Sequence, residues 1–167
     1  MPPEIKKTLS HNSMGSQIQK TLGGKYIPQK FVSDKGFKSV VWKGIDRFNT
    51  PVAIKLATYQ DYMGRSYLEE AERAAKLRNR PQFAHLYDAE LIQLALDQAG
   101  DTKFVCFIEE WIDGRSLGEY IQKNAIAPSF ILNYVRHMCE ALNILKETGL
   151  RHDDLHSGNV MICDPDP

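Results

Sequence analysis

The sequence predicts an α+β chain in two unequal parts, and three observations lead there. Strand-like runs crowd its first two thirds, each bounded by turn residues; one helical stretch interrupts them; helices then take over. The first runs are Tyr26 to Ser33, Ser39 to Ile45 and Pro51 to Leu56, spaced closely enough for an antiparallel meander. Pro51 stands at the start of its run, where a missing N–H does least harm to a sheet. Asp88 to Leu96 and Lys103 to Ile108 read as two more strands around the turn Asp97-Gln98-Ala99-Gly100-Asp101.

Between Tyr59 and Arg80 the period becomes helical, with Glu69/Arg73 and Glu72/Lys76 as i,i+4 pairs on a solvated face. Glu70 is different. It shares a stripe with Tyr67, Ala74 and Leu77, so it either reaches water from the stripe's edge or needs a cationic partner. A short helix is expected from Ser116 to Lys123. A longer one starts near Pro128 and Ser129, carries Ile131, Val135, Met138, Leu142 and Leu145 on one side, and stops at Gly149. Residues 1 to 24 hold Pro, Ser, Asn, Gln and Gly with scattered Ile and Leu, the composition of a flexible tail. The alternative is an ordered lead-in from Met14 to Gly24.

Composition narrows the function classes. With 43% hydrophobic and 25% charged residues, the 167-residue chain can bury one substantial core or two small lobes. Lys plus Arg equals Asp plus Glu at 21 each, so no basic field marks nucleic acid or anionic lipid as the main partner. No apolar stretch is long enough to span a bilayer, and the opening Met-Pro-Pro-Glu-Ile-Lys-Lys lacks the apolar core of a signal peptide, which makes the cytoplasm the expected location. Cys106, Cys139 and Cys163 are odd in number, widely spaced and set in apolar runs, as suits reduced core thiols.

Chemistry concentrates in Leu150-Arg151-His152-Asp153-Asp154-Leu155-His156-Ser157-Gly158-Asn159-Val160-Met161-Ile162. An aspartate five places ahead of an asparagine, between a helix and a short apolar run, lets both side chains hang from one loop. Phosphoryl transfer needs a carboxylate to orient a hydroxyl and an oxygen ligand that helps hold Mg²⁺ against phosphates. Asp154 and Asn159 suit those two roles, although a polar loop of this composition also describes an ordinary turn.

Val52-Ala53-Ile54-Lys55 in the third strand, Glu70 on the following helix, an acidic linker and the Asp154/Asn159 loop stand in an order that resembles the protein kinase superfamily, of the bacterial and eukaryotic-like Ser/Thr type. The resemblance runs from Tyr26 to the C-terminus. It implies a kinase-like N-lobe over 25–109 (a five-stranded antiparallel sheet plus an αC-type helix), a hinge over 110–114, and over 115–167 the first helices and catalytic loop of a C-lobe. It also implies ATP and Mg²⁺, with protein Ser/Thr hydroxyls as acceptors. Lys55 would contact the α- and β-phosphates and pair with Glu70. Val41, Ala53 and Met161 would surround the adenine, and the backbones of Glu110 and Ile112 would bond its edge. Asp154 would be the catalytic base and Asn159 a metal ligand. All of these groups are expected to converge on one nucleotide cleft.

Departures from the family pattern carry expectations of their own. G-x-G-x-x-G-x-V aligns with Asp34-Lys35-Gly36-Phe37-Lys38-Ser39-Val40-Val41, and only the middle glycine, Gly36, survives. Asp34 brings negative charge towards the phosphates and Ser39 restricts backbone approach, so weakened nucleotide affinity is expected. Asp153 replaces the arginine of H-R-D. His156 stands where protein kinases of this type carry lysine, a form similar to aminoglycoside and choline phosphotransferases, so a small-molecule acceptor is the alternative substrate class. The sequence ends at Cys163-Asp164-Pro165-Asp166-Pro167, ahead of any D-F-G. That is expected of the N-terminal part of a kinase domain, inactive alone or acting as a non-catalytic binding module. Its uncovered long helix is then expected to favour self-association.

Overall fold

The computed structural model describes residues 11–33, 39–59, 67–96 and 100–163. The chain divides into two compact units, Met1–Ala75 with His85–Trp111, and Lys76–Ala84 with Ile112–Pro167.

The first unit is built on an antiparallel sheet of β1 (Tyr26–Ser33), β2 (Ser39–Asp46), β3 (Pro51–Thr58), β4 (Leu86–Leu96) and β5 (Gly100–Glu110), in the order β1-β2-β3-β5-β4. Period-two alternation sorts the side chains by face. Val40 and Trp42 from β2, Val52, Ile54 and Leu56 from β3, Ile92 and Leu94 from β4, and Phe104, Cys106 and Ile108 from β5 form one buried cluster. The alternate residues Val41, Ala53, Lys55 and Glu109 lie on the opposite face, because Val41 stands opposite Lys55 and Ala53 opposite Glu109. β5 has neighbours on both sides, and Val105 and Phe107 are buried along with the core-facing residues. At the β2–β3 turn the Asp46 carboxylate accepts the N–H groups of Phe48 and Thr50, both at 2.8 Å, while Asn49 takes a left-handed φ of 63°.

Residues 11–21 are not a tail. They form helix α1 (His11–Thr21), and Met14, Ile18 and Leu22 enter the sheet's core. The reason is spacing rather than composition: these residues recur every fourth position, so one narrow stripe suffices once a sheet offers an apolar face. The helix contacts β1 and β4, the two edge strands. Gln17 also satisfies an exposed edge, its carboxamide donating to the Ala95 carbonyl at 3.1 Å and accepting the Ala95 N–H at 3.0 Å. The same two edges are linked by the Lys25–Glu90 ion pair at 2.7 Å and by the Tyr26 hydroxyl, which donates to Asp88 Oδ2 at 3.3 Å.

Burial first, and then the Asp88 charge, push the Tyr26 phenol up to about 12 from an ordinary value of 10.0. The folded chain therefore favours the neutral phenol. Stability from this source is complete below pH 10, declines as pH rises, and is gone once the folded value near 12 is passed. Ultraviolet titration of native chain against Tyr26→Phe is expected to show one tyrosine ionising near that upper limit; loss of its signal at pH 10 would contradict the assignment.

Helix α2 (Tyr67–Lys76) occupies part of the stretch expected to be helical, and ends before a turn in which Asn79 has a φ of 66°. In the second unit β6 (Gly114–Ser116) leads into α3 (Leu117–Lys123), followed by α4 (Pro128–Glu147) and β7 (Met161–Cys163). Pro128 opens α4, and Gly149 at φ 68° closes it. There Leu150 N–H donates to the Leu145 carbonyl and Gly149 N–H to that of Lys146, the pattern that satisfies a helix's last carbonyls. Only Ile144 and Leu145 of α4 are buried; Ile131, Leu132, Val135 and Leu142 are exposed, Leu132 by 72%.

Of the three expected core thiols only Cys106 is one. Burial pushes it up to about 12, whereas Cys139 and Cys163 are exposed. The apolar neighbours of those two lie on the uncovered part of α4 and on a two-stranded ribbon, neither of which encloses a side chain. Among the described residues no helix is long and apolar enough to cross a membrane.

Candidate active site

The site residues predicted from sequence fall into two groups, one in each unit. In the first, Lys55 projects from the middle of β3 on the face opposite the α1 core, with Val41 directly across on β2 and Ala53 two residues earlier on the same face. Ser39, Val41, Ala53 and Lys55 are half-buried. Asp34 and Gly36 lie outside the described residues. Glu70 is on α2, but its side chain lies outside the described part, so its expected pairing with Lys55 has no observation attached.

Lys55 does have a described carboxylate partner, one absent from the sequence reading. Its Nζ donates to Glu109 Oε2 at 3.0 Å and to Oε1 at 3.2 Å. Glu109 opposes Ala53 in the β3–β5 ladder, so the pair is a diagonal across antiparallel strands. Lys43, opposite Ala53, lies on the same face with its Nζ 4.6 Å from the centroid of the Trp111 ring. Glu110, expected to offer backbone groups, donates its N–H to the His85 carbonyl at 2.8 Å, and its carboxylate accepts the His85 N–H at 3.2 Å. That donor is spent inside the sheet.

In the second unit the loop from Leu150 to Val160 is held by α3. The first N–H groups of a helix have no partner within it. Here Leu117 N–H donates to the Val160 carbonyl at 2.8 Å and Gly118 N–H to that of Ser157 at 3.1 Å. Ser116 caps the same helix by accepting the Glu119 N–H at 3.2 Å. β6 pairs with β7 directly beyond the loop, Ser116 opposite Met161 and Gly114 opposite Cys163. A side chain at Gly114 would collide with the Ile162 carbonyl, so the ribbon needs glycine there. Met161, expected at the adenine, is partly exposed on β7, and Ile112 is half-buried just before β6.

Asp154 and Asn159 are brought together. The Asn159 carboxamide donates to the Asp154 carbonyl at 2.9 Å and to its Oδ2 at 3.3 Å. His156 joins them: its Nδ1 accepts the Gly158 N–H at 3.0 Å, and its Nε2 lies 3.8 Å from Asp154 Oδ2. With Nδ1 acting as acceptor, the proton belongs on Nε2, facing the carboxylate. A Cβ at Gly158 would stand 2.8 Å from His156 Cε1, so the ring's seat also depends on glycine. Asp153 takes a left-handed φ of 57°, which turns the chain sharply enough for Asp154 N–H to donate to the His152 carbonyl at 2.7 Å. Asp154 itself is 81% exposed, so its carboxylate stands open to a reacting group.

Among the described residues no group of three or more His, Cys, Asp and Glu is arranged to hold an ion. Asn159 commits its N–H₂ to Asp154, and its carbonyl oxygen is a hydrogen-bond acceptor of the chemical type that hard cations take.

The model of a family described as protein tyrosine and serine/threonine kinase matches residues 34–166. PknL of Mycobacterium tuberculosis, a serine/threonine-protein kinase, is 28% identical over 150 residues, which cover 86% of this chain and 35% of PknL. A probable serine/threonine-protein kinase of Clostridium acetobutylicum is 26% identical over 134 residues, 78% of this chain and 19% of that protein. Among solved structures, the MAP kinase LmaMPK10 of Leishmania major matches with a TM-score of 0.61 and 26% identity, over 93% of this chain and 48% of that one. The chain thus spans about half or less of the length of the proteins it matches.

Proposed function

The chain belongs to the protein tyrosine and serine/threonine kinase family, and on that premise we propose that it serves ATP-dependent phosphoryl transfer to Ser/Thr hydroxyls of proteins, as part of a catalytic domain and inactive alone. The observation that carries this reading is the Asp154–Asn159 contact, which presents a carboxylate and an amide oxygen from one braced loop. Asp154 orients the acceptor hydroxyl and takes up its proton. Lys55 meets the α- and β-phosphates, with Glu70 on α2 as its helical counter-charge. Val41, Ala53 and Met161 line the adenine. Ile112 supplies the linker's N–H, since that of Glu110 is already used, and Glu110 offers its carbonyl. Asp34, Gly36 and Ser39 belong to the loop over the phosphates. Asn159 would hold Mg²⁺ together with phosphate oxygens, and the ion would neutralise their charge. Free cysteines suit a cytoplasmic enzyme.

The test is transfer of labelled γ-phosphate from Mg-ATP to a mixed protein acceptor by the chain within a complete kinase domain, followed by phosphoamino-acid analysis. Phosphoserine and phosphothreonine are expected. Label on aminoglycoside or choline acceptors instead would favour the second reading, a small-molecule phosphotransferase, to which the His156–Gly158 arrangement points. Absence of both, with no Mg-ATP binding in calorimetry, would leave a non-catalytic binding module.

The exposed stripe of α4 further leads us to propose self-association. Light scattering is expected to show a mass that rises with concentration, and Ile131→Lys with Val135→Lys to hold the chain monomeric. A constant monomer mass for the unsubstituted chain would exclude this.

A further inference from the structure

Lys55 meets a carboxylate that comes from neither its own strand nor α2. We propose that Glu109 is a positioning residue for Lys55: it fixes the ammonium on the sheet face where a phosphate would meet it, whether or not Glu70 of α2 also reaches it. The phosphate in this statement rests on the phosphoryl-transfer reading above; the pair does not.

The geometry comes from the centre of the sheet. Lys55 stands opposite Phe107 and Ala53 opposite Glu109, so the two charged residues are diagonal neighbours on one face. Such neighbours are about 7–8 Å apart along the backbone, a gap that their two side chains together close. Both carboxylate oxygens lie within 3.2 Å of Nζ. The strands cannot shift easily, because Ile54, Leu56, Phe107 and Ile108 beside the pair are all buried. The side chains are 38% and 25% exposed, shielded enough for the attraction to exceed that of a fully solvated pair, yet open to a ligand.

An ammonium has three N–H donors. Among the described residues two meet Glu109, and a phosphate oxygen would take the third. The carboxylate meanwhile cancels the charge of Lys55, so it governs the lysine's placement and adds nothing to its attraction for a triphosphate. Removing that charge therefore has two opposite consequences. Glu109→Gln leaves an ammonium that attracts phosphate at least as well but is no longer held in place, so binding is kept or tightened while the rate falls. General damage to the fold would weaken both together.

Two measurements on the full chain test this. The first needs no reaction: nitrogen-15 NMR of lysine side chains is expected to show an ordered Lys55 ammonium coupled to the Glu109 carboxylate. The signal should persist in Glu70→Gln and vanish in Glu109→Gln. A Lys55 signal that survives Glu109→Gln, or one lost in Glu70→Gln, overturns the proposal. The second compares Mg-ATP calorimetry with single-turnover transfer. Glu109→Gln is expected to bind Mg-ATP as tightly as the unsubstituted chain or more so, and to transfer about tenfold more slowly. An unchanged rate, or a parallel loss of binding and rate, overturns the positioning role. If the unsubstituted chain within a complete kinase domain transfers nothing, the phosphoryl-transfer reading fails, and the NMR measurement still decides for or against the pair.

Discussion

Replacing Asp154 by alanine is expected to slow phosphoryl transfer by about 10²–10⁴-fold, the range that a general base contributes, while Mg-ATP binding stays within about twofold. The asymmetry follows from the loop. Asn159 Nδ2 and His156 Nε2 both approach Asp154 Oδ2, at 3.3 and 3.8 Å, so the carboxylate's other oxygen is the one offered to an incoming hydroxyl. Nothing in that arrangement ties Asp154 to a nucleotide, so binding has little reason to change. The loop is anchored through Leu117 and Gly118 on α3, not through the Asp154 side chain. An exposed side chain of this kind changes stability by about 0.5 kcal/mol or less, and thermal unfolding of Asp154→Ala should overlay that of the unsubstituted chain. Transfer that continues at full rate in a correctly folded variant would remove Asp154 from the mechanism.

Ile18→Ala is expected to cost the first unit about 2–5 kcal/mol, and Ile18→Asp to prevent its folding. Ile18 is fully buried among residues from β2 to β5, although it belongs to a helix outside the stretch matched by the kinase family. Domains of this size are stable by only about 5–15 kcal/mol, so the alanine change alone removes a large fraction. The unfolding midpoint should fall by about 10 °C or more. Gln17→Ala is expected to cost far less, about 1 kcal/mol, because it uncovers an edge hydrogen-bonding pair that water can reach. Unfolding of Ile18→Ala at the unsubstituted temperature would show that α1 is not part of the core.

These two cases mark where the sequence was legible and where it was not. The Asp154 loop could be read because its parts are local: Asp154 and Asn159 are five residues apart, and one turn brings them together. The strands could be read because Val40, Trp42, Val52, Ile54 and Leu56 alternate with period two. Helix α1 was obscured because its polar residues outnumber the two that bury, Met14 and Ile18, with Leu22 just past its end, and an average over the window hides a narrow stripe. The thiols misled for the converse reason: apolar neighbours signalled burial for Cys139 and Cys163, but neighbours in the chain do not cover a side chain when the element they form has little packed against it.

Taken alone, the order of residues determined the five strands of the sheet, the helices after them and where α4 ends, and which loop carries the aspartate and the asparagine. All of these depend on contacts within a few residues. Only the tertiary structure decided that Lys55 faces Glu109, that β5 inserts beside β3, and that α1 completes the core. Each of those depends on strand register, and a register is chosen by the summed burial of a whole face, a quantity that no single stretch of sequence contains.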